Sequence, residues 1–280
     1  MKKLLAAAVA ALFALSLAGC GTPAASASTA ETAGQPVELV VFAAASLTET
    51  LTEIADTYEA AHPGVTPTFN FDSSGTLKTQ IESGADCDIF ISAGQKQMDQ
   101  LDSTASADVN PDGLDFVLQG TRADILENKV TLAVPEGNPA GIESFDQLAE
   151  RLKAGDVFMA MGNEDVPVGQ YTQKIFEYYG LSEAELAQEG LITYGSNVKE
   201  VTSQVAEAAV DCGVIYATDA FSAGLTVVDS ATAEMCGQVI YPAAVLNVSK
   251  HTDEAKAFLD YCFSDAAMEV FESVGFSPVA

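Results

Sequence analysis

Glu38-Leu-Val-Val-Phe-Ala-Ala-Ala45 is a near-continuous apolar run. Such a run fits a parallel strand covered on both faces. A helical pattern follows at once, with Leu47, Leu51, Ile54, Ala55 and Tyr58 on one face, and His62-Pro63-Gly64 stops it. Working outward, the same alternation repeats. Strands are expected over Val65 to Phe71, Asp88 to Ser92, Lys129 to Val134, Val157 to Met161, Gly213 to Ala217 and Leu225 to Val228. Helices are expected over Leu77 to Glu82, Gln95 to Leu101, Phe145 to Leu152, Gln170 to Tyr179, Val198 to Val210, Asp253 to Cys262 and Asp265 to Val274. Pro242 interrupts the strand expected over Gln238 to Val248 and marks it as an edge or crossover segment.

Repeated strand–helix units of this length predict an α/β fold with mostly parallel sheets flanked by helices. No short-period repeat is present. The units fall into two runs. Residues 37–129 plus 239–280 are expected to form one lobe and residues 130–238 the other, with two crossovers and a cleft between them.

The N-terminal segment carries an address. Lys2 and Lys3 precede an apolar stretch from Leu4 to Leu17, too short to span a bilayer but built like a secretory signal. Leu17-Ala18-Gly19-Cys20 resembles the bacterial lipobox, so residues 1–19 read as a signal peptide and Cys20 as the acylated N-terminus. Two or more chains on one cysteine make a stable membrane anchor. Residues 20–36 lack large apolar side chains and read as a flexible, lipid-anchored tether.

Composition narrows the function further. The chain has 280 residues, 12 basic against 40 acidic, for a net charge of −28, and 48% of it is apolar. That is enough for a real core. The charge speaks against nucleic acid binding, because no basic patch exists to neutralise phosphates. It would also repel an anion at long range, so any anion must be held by local backbone donors. Besides Cys20 there are Cys87, Cys212, Cys236 and Cys262, without metal-site spacing. They allow three disulfide pairings, or they stay reduced.

Four strand-to-helix junctions are built to present bare backbone N–H groups. In Ala43-Ala-Ala-Ser46-Leu-Thr-Glu49, Ser46 and Glu49 stand at capping-box spacing. Asp72-Ser73-Ser74-Gly75-Thr76 is hydroxyl-rich and opens the helix expected at Leu77. In Asp165-Val-Pro167-Val168-Gly169-Gln170, Pro167 and Gly169 fix a turn. In Gly195-Ser196-Asn197-Val198-Lys199-Glu200, Asn197 and Glu200 form a second cap pair. Helix N-termini carry unpaired donors and about half a positive charge each, so several of them can hold a dianion without a formal counter-charge. Tyr216, at the end of Gly213-Val-Ile-Tyr216, adds a phenol.

Taken in order, Val-Phe-Ala-Ala-Ala-Ser-Leu-Thr (41–48), Ser-Ser-Gly-Thr-Leu (73–77), Asp-Ile-Phe-Ile-Ser-Ala (88–93), Val-Pro-Val-Gly-Gln-Tyr (166–171), Asn-Val-Lys (197–199) and Gly-Val-Ile-Tyr-Ala-Thr-Asp (213–219) resemble the molybdate-binding proteins of ABC importers. The likeness runs from about Val37 to the C-terminal Gly-Phe-Ser-Pro. It implies the type II periplasmic-binding fold: two α/β lobes, each a mostly parallel sheet flanked by helices, around a ligand cleft. It implies molybdate or tungstate as ligand, held by hydroxyls and N–H groups at Ser46, Ser74, Val168, Val198 and Tyr216. It also implies an extracytoplasmic monomer that serves an ABC permease and its ATPase subunit, with no cofactor and no free-cation metal site. Val168 departs from the alanine usual there, and Gly75 stands where some relatives carry a serine.

Other motifs lead nowhere. Asp108 to Gln119 begins like a calcium loop but has Gln119 at the twelfth position and Asp115 at the eighth, so it reads as an acidic turn. No nucleophile–base, zinc-protease or phosphate-loop signature is present, and His62 and His251 are the only histidines. The chain therefore reads as a binding protein rather than an enzyme.

Overall fold

The computed structural model describes residues 36–279. The signal segment expected at 1–19, the acylation expected at Cys20 and the expected tether up to Gln35 lie outside these residues. Among the described residues no helix is long and apolar enough to cross a membrane.

The strands are β1 (Val37–Ala44), β2 (Val65–Asp72), β3 (Ile89–Ile91), β4 (Ala123–Asn128), β5 (Val130–Val134), β6 (Met159–Gly162), β7 (Ile192–Gly195), β8 (Cys212–Tyr216), β9 (Thr226–Ser230), β10 (Val239–Val245) and β11 (Ser277–Pro278). The helices are α1 (Thr48–Ala61), α2 (Ser74–Glu82), α3 (Gln95–Asp99), α4 (Phe145–Ala154), α5 (Pro167–Tyr179), α6 (Glu183–Gln188), α7 (Val198–Ala206), α8 (Ala217–Ser222), α9 (Ala233–Cys236), α10 (Thr252–Tyr261) and α11 (Asp265–Ser273).

Two sheets result. One has six strands in the order β11-β4-β10-β3-β1-β2, the other five in the order β7-β6-β8-β5-β9. In the first, β1 runs parallel to β2 and β3, while β10 is antiparallel to β3 and β4, and β11 to β4. In the second, β6 is parallel to β7 and β8, and β5 is antiparallel to β8 and β9. Most strands in each sheet thus share one direction, as the sequence predicts. The reversed strands are β5 in the five-stranded sheet and β10 and β11 in the six-stranded one. β4 passes into β5 through Lys129 alone, and β10 brings the chain back.

Pro242 corrects an expectation. Its strand β10 lies inside the six-stranded sheet, between β4 and β3, not at an edge. A register shift against β4 between Tyr241 and Pro242 absorbs the missing donor. The Pro242 carbonyl still accepts from the Ser92 N–H at 3.0 Å. β4, β7 and β11 carry no expected strand, being short and poorly patterned.

The core follows the pattern that defines the first unit. Leu39 and Val41 of β1 are fully buried, and so is the face of α1 formed by Leu51, Ile54 and Tyr58. Tyr58 meets Phe258 of α10 edge-on, ring centroids 5.0 Å apart. Each such side chain contributes about 1.5–3 kcal/mol by leaving water. Gly180 takes a left-handed φ of 64° and ends α5, as its position in the sequence predicts. Cys87, Cys212, Cys236 and Cys262 are all buried and all free, so none of the three pairings forms. In the acidic turn, the Asn110 amide is spent on backbone: it donates to the carbonyls of Asp102 and Leu114 and accepts from the Leu114 N–H.

Candidate ligand-binding site

Six chain segments at the carboxyl ends of strands meet at one small hollow between the sheets. From the six-stranded side come Ala44, Ala45 and Ser46 after β1, Asp72, Ser73 and Ser74 after β2, and Ala93 after β3. From the five-stranded side come Val166 and Pro167 after β6, Val198 after β7, and Tyr216 at the end of β8. A crevice outside the carboxyl ends of strands is where open α/β sheets place ligands. Ser74, Pro167 and Val198 are the first residues of α2, α5 and α7. Three helix N-termini therefore converge on the hollow, each with orphan N–H donors and a partial positive charge.

Four of the five residues singled out in the sequence, Ser46, Ser74, Val198 and Tyr216, line this hollow. Val168 does not. Its helix begins at Pro167, three residues earlier than expected, because proline is well suited to a first helical position. That phase turns the Val168 side chain fully into the core. Its N–H remains among the first-turn donors without an intrahelical partner. The sequence reading missed Asp72, Ser73, Ala93, Val166 and Pro167. All but Ala93 lie within a quoted junction, and Ala93 ends the Asp-Ile-Phe-Ile-Ser-Ala stretch (88–93).

The hydroxyls are aimed by their neighbours. Ser74 Oγ accepts from the Ala93 N–H at 2.9 Å, which leaves its own proton to donate. Ser46 is not a helix cap as expected. Residues Ala45–Leu47 form a 3-10 turn, α1 is capped at Leu47 without a side chain, and Ser46 Oγ instead meets the Tyr241 hydroxyl at 2.9 Å. Asn128 reaches the same tyrosine. Its Oδ1 accepts from the Lys129 N–H at 2.8 Å, so its amide donates to Thr218 Oγ1 at 2.9 Å and to the Tyr241 oxygen at 3.2 Å. The Ser46–Tyr241 bond can run in either direction; with Tyr241 as its donor, the Ser46 proton is left for the hollow. Asn197 behaves as predicted: it caps α7 by accepting from Glu200 N–H at 3.1 Å, and the Glu200 carboxylate accepts from Ser196 N–H at 2.7 Å.

Electrostatics favour donors. Burial pushes the Tyr216 hydroxyl well above its ordinary 10.0, so it stays a protonated donor. The acceptor in the lining is Asp72, whose Oδ1 takes the Ser73 N–H at 2.7 Å and the Asn197 amide at 3.4 Å. Behind Tyr216, burial raises Asp219 from 3.8 to about 6, although Lys199 draws it back. The two sides touch around the hollow: the Gly75 N–H donates to the Asp165 carbonyl at 3.1 Å. A Cβ on Gly75 would collide with that oxygen, so the position has no room for a side chain. Among the described residues no group of three or more acidic, histidine or cysteine side chains is placed to hold a metal ion.

Comparison with known proteins agrees with this geometry. The family described as bacterial extracellular solute-binding protein matches residues 39–277. A putative ABC transporter substrate-binding lipoprotein of Bacillus subtilis is 34% identical over 86% of this chain and 86% of its own length. The molybdate-binding protein ModA of Mycobacterium tuberculosis is 30% identical over 96% of this chain and 95% of its own. The substrate-binding domain of a putative molybdenum ABC transporter from Clostridium difficile superposes with a TM-score of 0.62, at 30% identity, over 87% of this chain and all of that one.

Proposed function

Because the chain belongs to the bacterial extracellular solute-binding proteins, we propose that it captures molybdate, or the equally sized tungstate, and delivers it to an ABC importer. The observation that carries this reading is the meeting of Ser46, Ser74, Val198 and Tyr216 at one hollow. In it, the hydroxyls of Ser46 and Ser74, the N–H groups of Val168 and Val198, and the Tyr216 phenol donate to the oxyanion. The relatives named as molybdate-binding support the choice of anion.

The donors explain selectivity. Molybdate, tungstate and sulfate only accept hydrogen bonds near neutral pH. Hydrogen phosphate brings a proton that needs an acceptor, and leaving a buried donor unmet costs about 1–3 kcal/mol. Asp72, the carboxylate in this lining, makes hydrogen phosphate the competitor to compare. Sulfate is separated by size, being too small to reach donors set for a larger tetrahedron.

The lobes, residues 37–129 plus 239–280 and residues 130–238, close on the anion, and the closed monomer docks on the permease, whose ATPase subunit drives import. The chain acts by reversible binding and not by turnover, a reading that the solute-binding family supports. Acylation of Cys20 after removal of residues 1–19 holds the protein at the outer face of the cell membrane, a reading supported by the lipoprotein relative. Labelling with a radioactive fatty acid should mark the wild type and not Cys20→Ala.

Calorimetry with molybdate, tungstate, sulfate and phosphate tests the ligand. The first two should bind tightly and the last two far more weakly. Equal affinity for sulfate would overturn the assignment.

A further inference from the structure

Three of the segments that build the hollow are also joined by charge. The Lys199 ammonium lies 2.8 Å from both carboxylate oxygens of Glu49 and 3.2 Å from Oδ1 of Asp219. Glu49 stands in the first turn of α1, beside Ser46, on the side of the six-stranded sheet. Lys199 follows Val198 in α7, and Asp219 lies in α8 just after Tyr216, both on the side of the five-stranded sheet. Among the described residues, Lys199–Glu49 is the one ion pair that joins the two sides.

The burial of the three groups is unequal. The Asp219 side chain is wholly inaccessible, and neither of its oxygens receives a hydrogen bond. A buried carboxylate without donors is unfavourable in itself, and its one cationic neighbour is Lys199. Glu49 and Lys199, by contrast, keep 50% and 30% of their side-chain surface exposed. The buried group is fixed to one side and pins the lysine stem, while the outer pair sits where water allows it to break and re-form. The other direct contacts across the hollow, Gly75 to Asp165, Asn197 to Asp72 and the Tyr216 hydroxyl to the Ala93 carbonyl, do not involve an ammonium.

We infer that Lys199 is a positioning residue for anion capture, a latch that Asp219 holds in place and that grips Glu49 across the cleft when the two sides meet. It touches no ligand atom. It keeps the Val198 end of α7 against the Ser46 segment, so its effect falls on release of the anion rather than on its entry. The inference rests on the anion-binding reading above.

The test uses the full chain in detergent, with molybdate as probe and small-angle scattering of the ligand-free protein as a second readout. Glu49→Gln removes the outer grip without stranding Asp219. It should release molybdate roughly two- to fivefold faster, the range open to a partly exposed ion pair. Raising the salt concentration should bring wild-type release toward the variant's rate. Lys199→Arg should keep release slow and Lys199→Met should not, and the ligand-free Glu49→Gln chain should have the larger radius of gyration. Unchanged release together with an unchanged scattering profile would overturn the latch. A wild type that binds no molybdate would sink the functional reading instead, and the scattering comparison alone would then decide the latch.

Discussion

Gly75 is the point at which the two sides come closest. A methyl group there would press on the Asp165 carbonyl at 2.2 Å. Gly75→Ala should therefore weaken molybdate binding about tenfold or more, given that overpacking of this kind costs about 1–3 kcal/mol. The unfolding temperature of the ligand-free chain should hardly change, which calorimetry and a thermal melt together will check. The two serines should differ. Ser74→Ala removes a donor and also strands the Ala93 N–H, whereas Ser46→Ala leaves Tyr241 still served by Asn128. Titration of both variants should give the larger loss of affinity for Ser74→Ala. Asp219 makes a prediction in pH. Its acid is raised by burial from 3.8 to about 6, so between these values the folded chain holds a proton that the unfolded chain has lost. Stability then falls as pH rises through that window. Asp219→Asn should flatten the dependence of melting temperature on pH between about 4 and 6. Asp102 works in the opposite sense. Burial pushes it up, but hydrogen bonds from Thr104, Arg122 and Gln119 outweigh that and bring it to about 2, so its contribution is lost on acidification instead.

At the scale of elements, the caps decide where helices start and therefore what their first N–H groups face. Asn197→Ala should cost about 1 kcal/mol of stability, the usual worth of such a cap, visible in a denaturant melt. It should also weaken anion binding, since the Val198 N–H would no longer be held toward the hollow. The Asn197–Glu200 pair is legible in the sequence because both its bonds are local. The Ser46–Glu49 pair has the same spacing and misleads. Ser46 is taken by Tyr241 and Glu49 by Lys199, 195 and 150 residues away along the chain, which no short window can reveal. Val168 falls inside its helix because Pro167, read together with Gly169 as part of a turn, is already the first helical residue. Pro242 reads as an edge residue because prolines belong there; the bulge that admits it to a sheet interior depends on β4, which has no strong pattern of its own. The junctions that carry chemistry stood out, since small and hydroxyl residues interrupt apolar runs. The partners that orient them did not.

Across the whole molecule, the apolar strands and one-faced helices made the α/β class plain, and the two apolar runs made two sheets plain. The state of the cysteines was not legible, because pairing depends on distance in space. The structure leaves all four thiols free and buried. A thiol reagent should find Cys87, Cys212, Cys236 and Cys262 unreactive in the native protein and all reactive after denaturation. A reductant should leave the melting temperature unchanged.

Asn128 is the last residue of β4, where the chain leaves one sheet for the other, and it donates to Tyr241, the partner of Ser46. The crossover between the sheets and one hydroxyl of the hollow thus share a hydrogen-bonded chain. Swing the halves apart about this strand, and the amide that spans Thr218 and Tyr241 must yield one of them. Tyr241 is then at liberty to turn, and Ser46 has no reason to point at a guest. On the proposed reading, parting the halves at this strand would by itself loosen one of the hydroxyls that hold the anion.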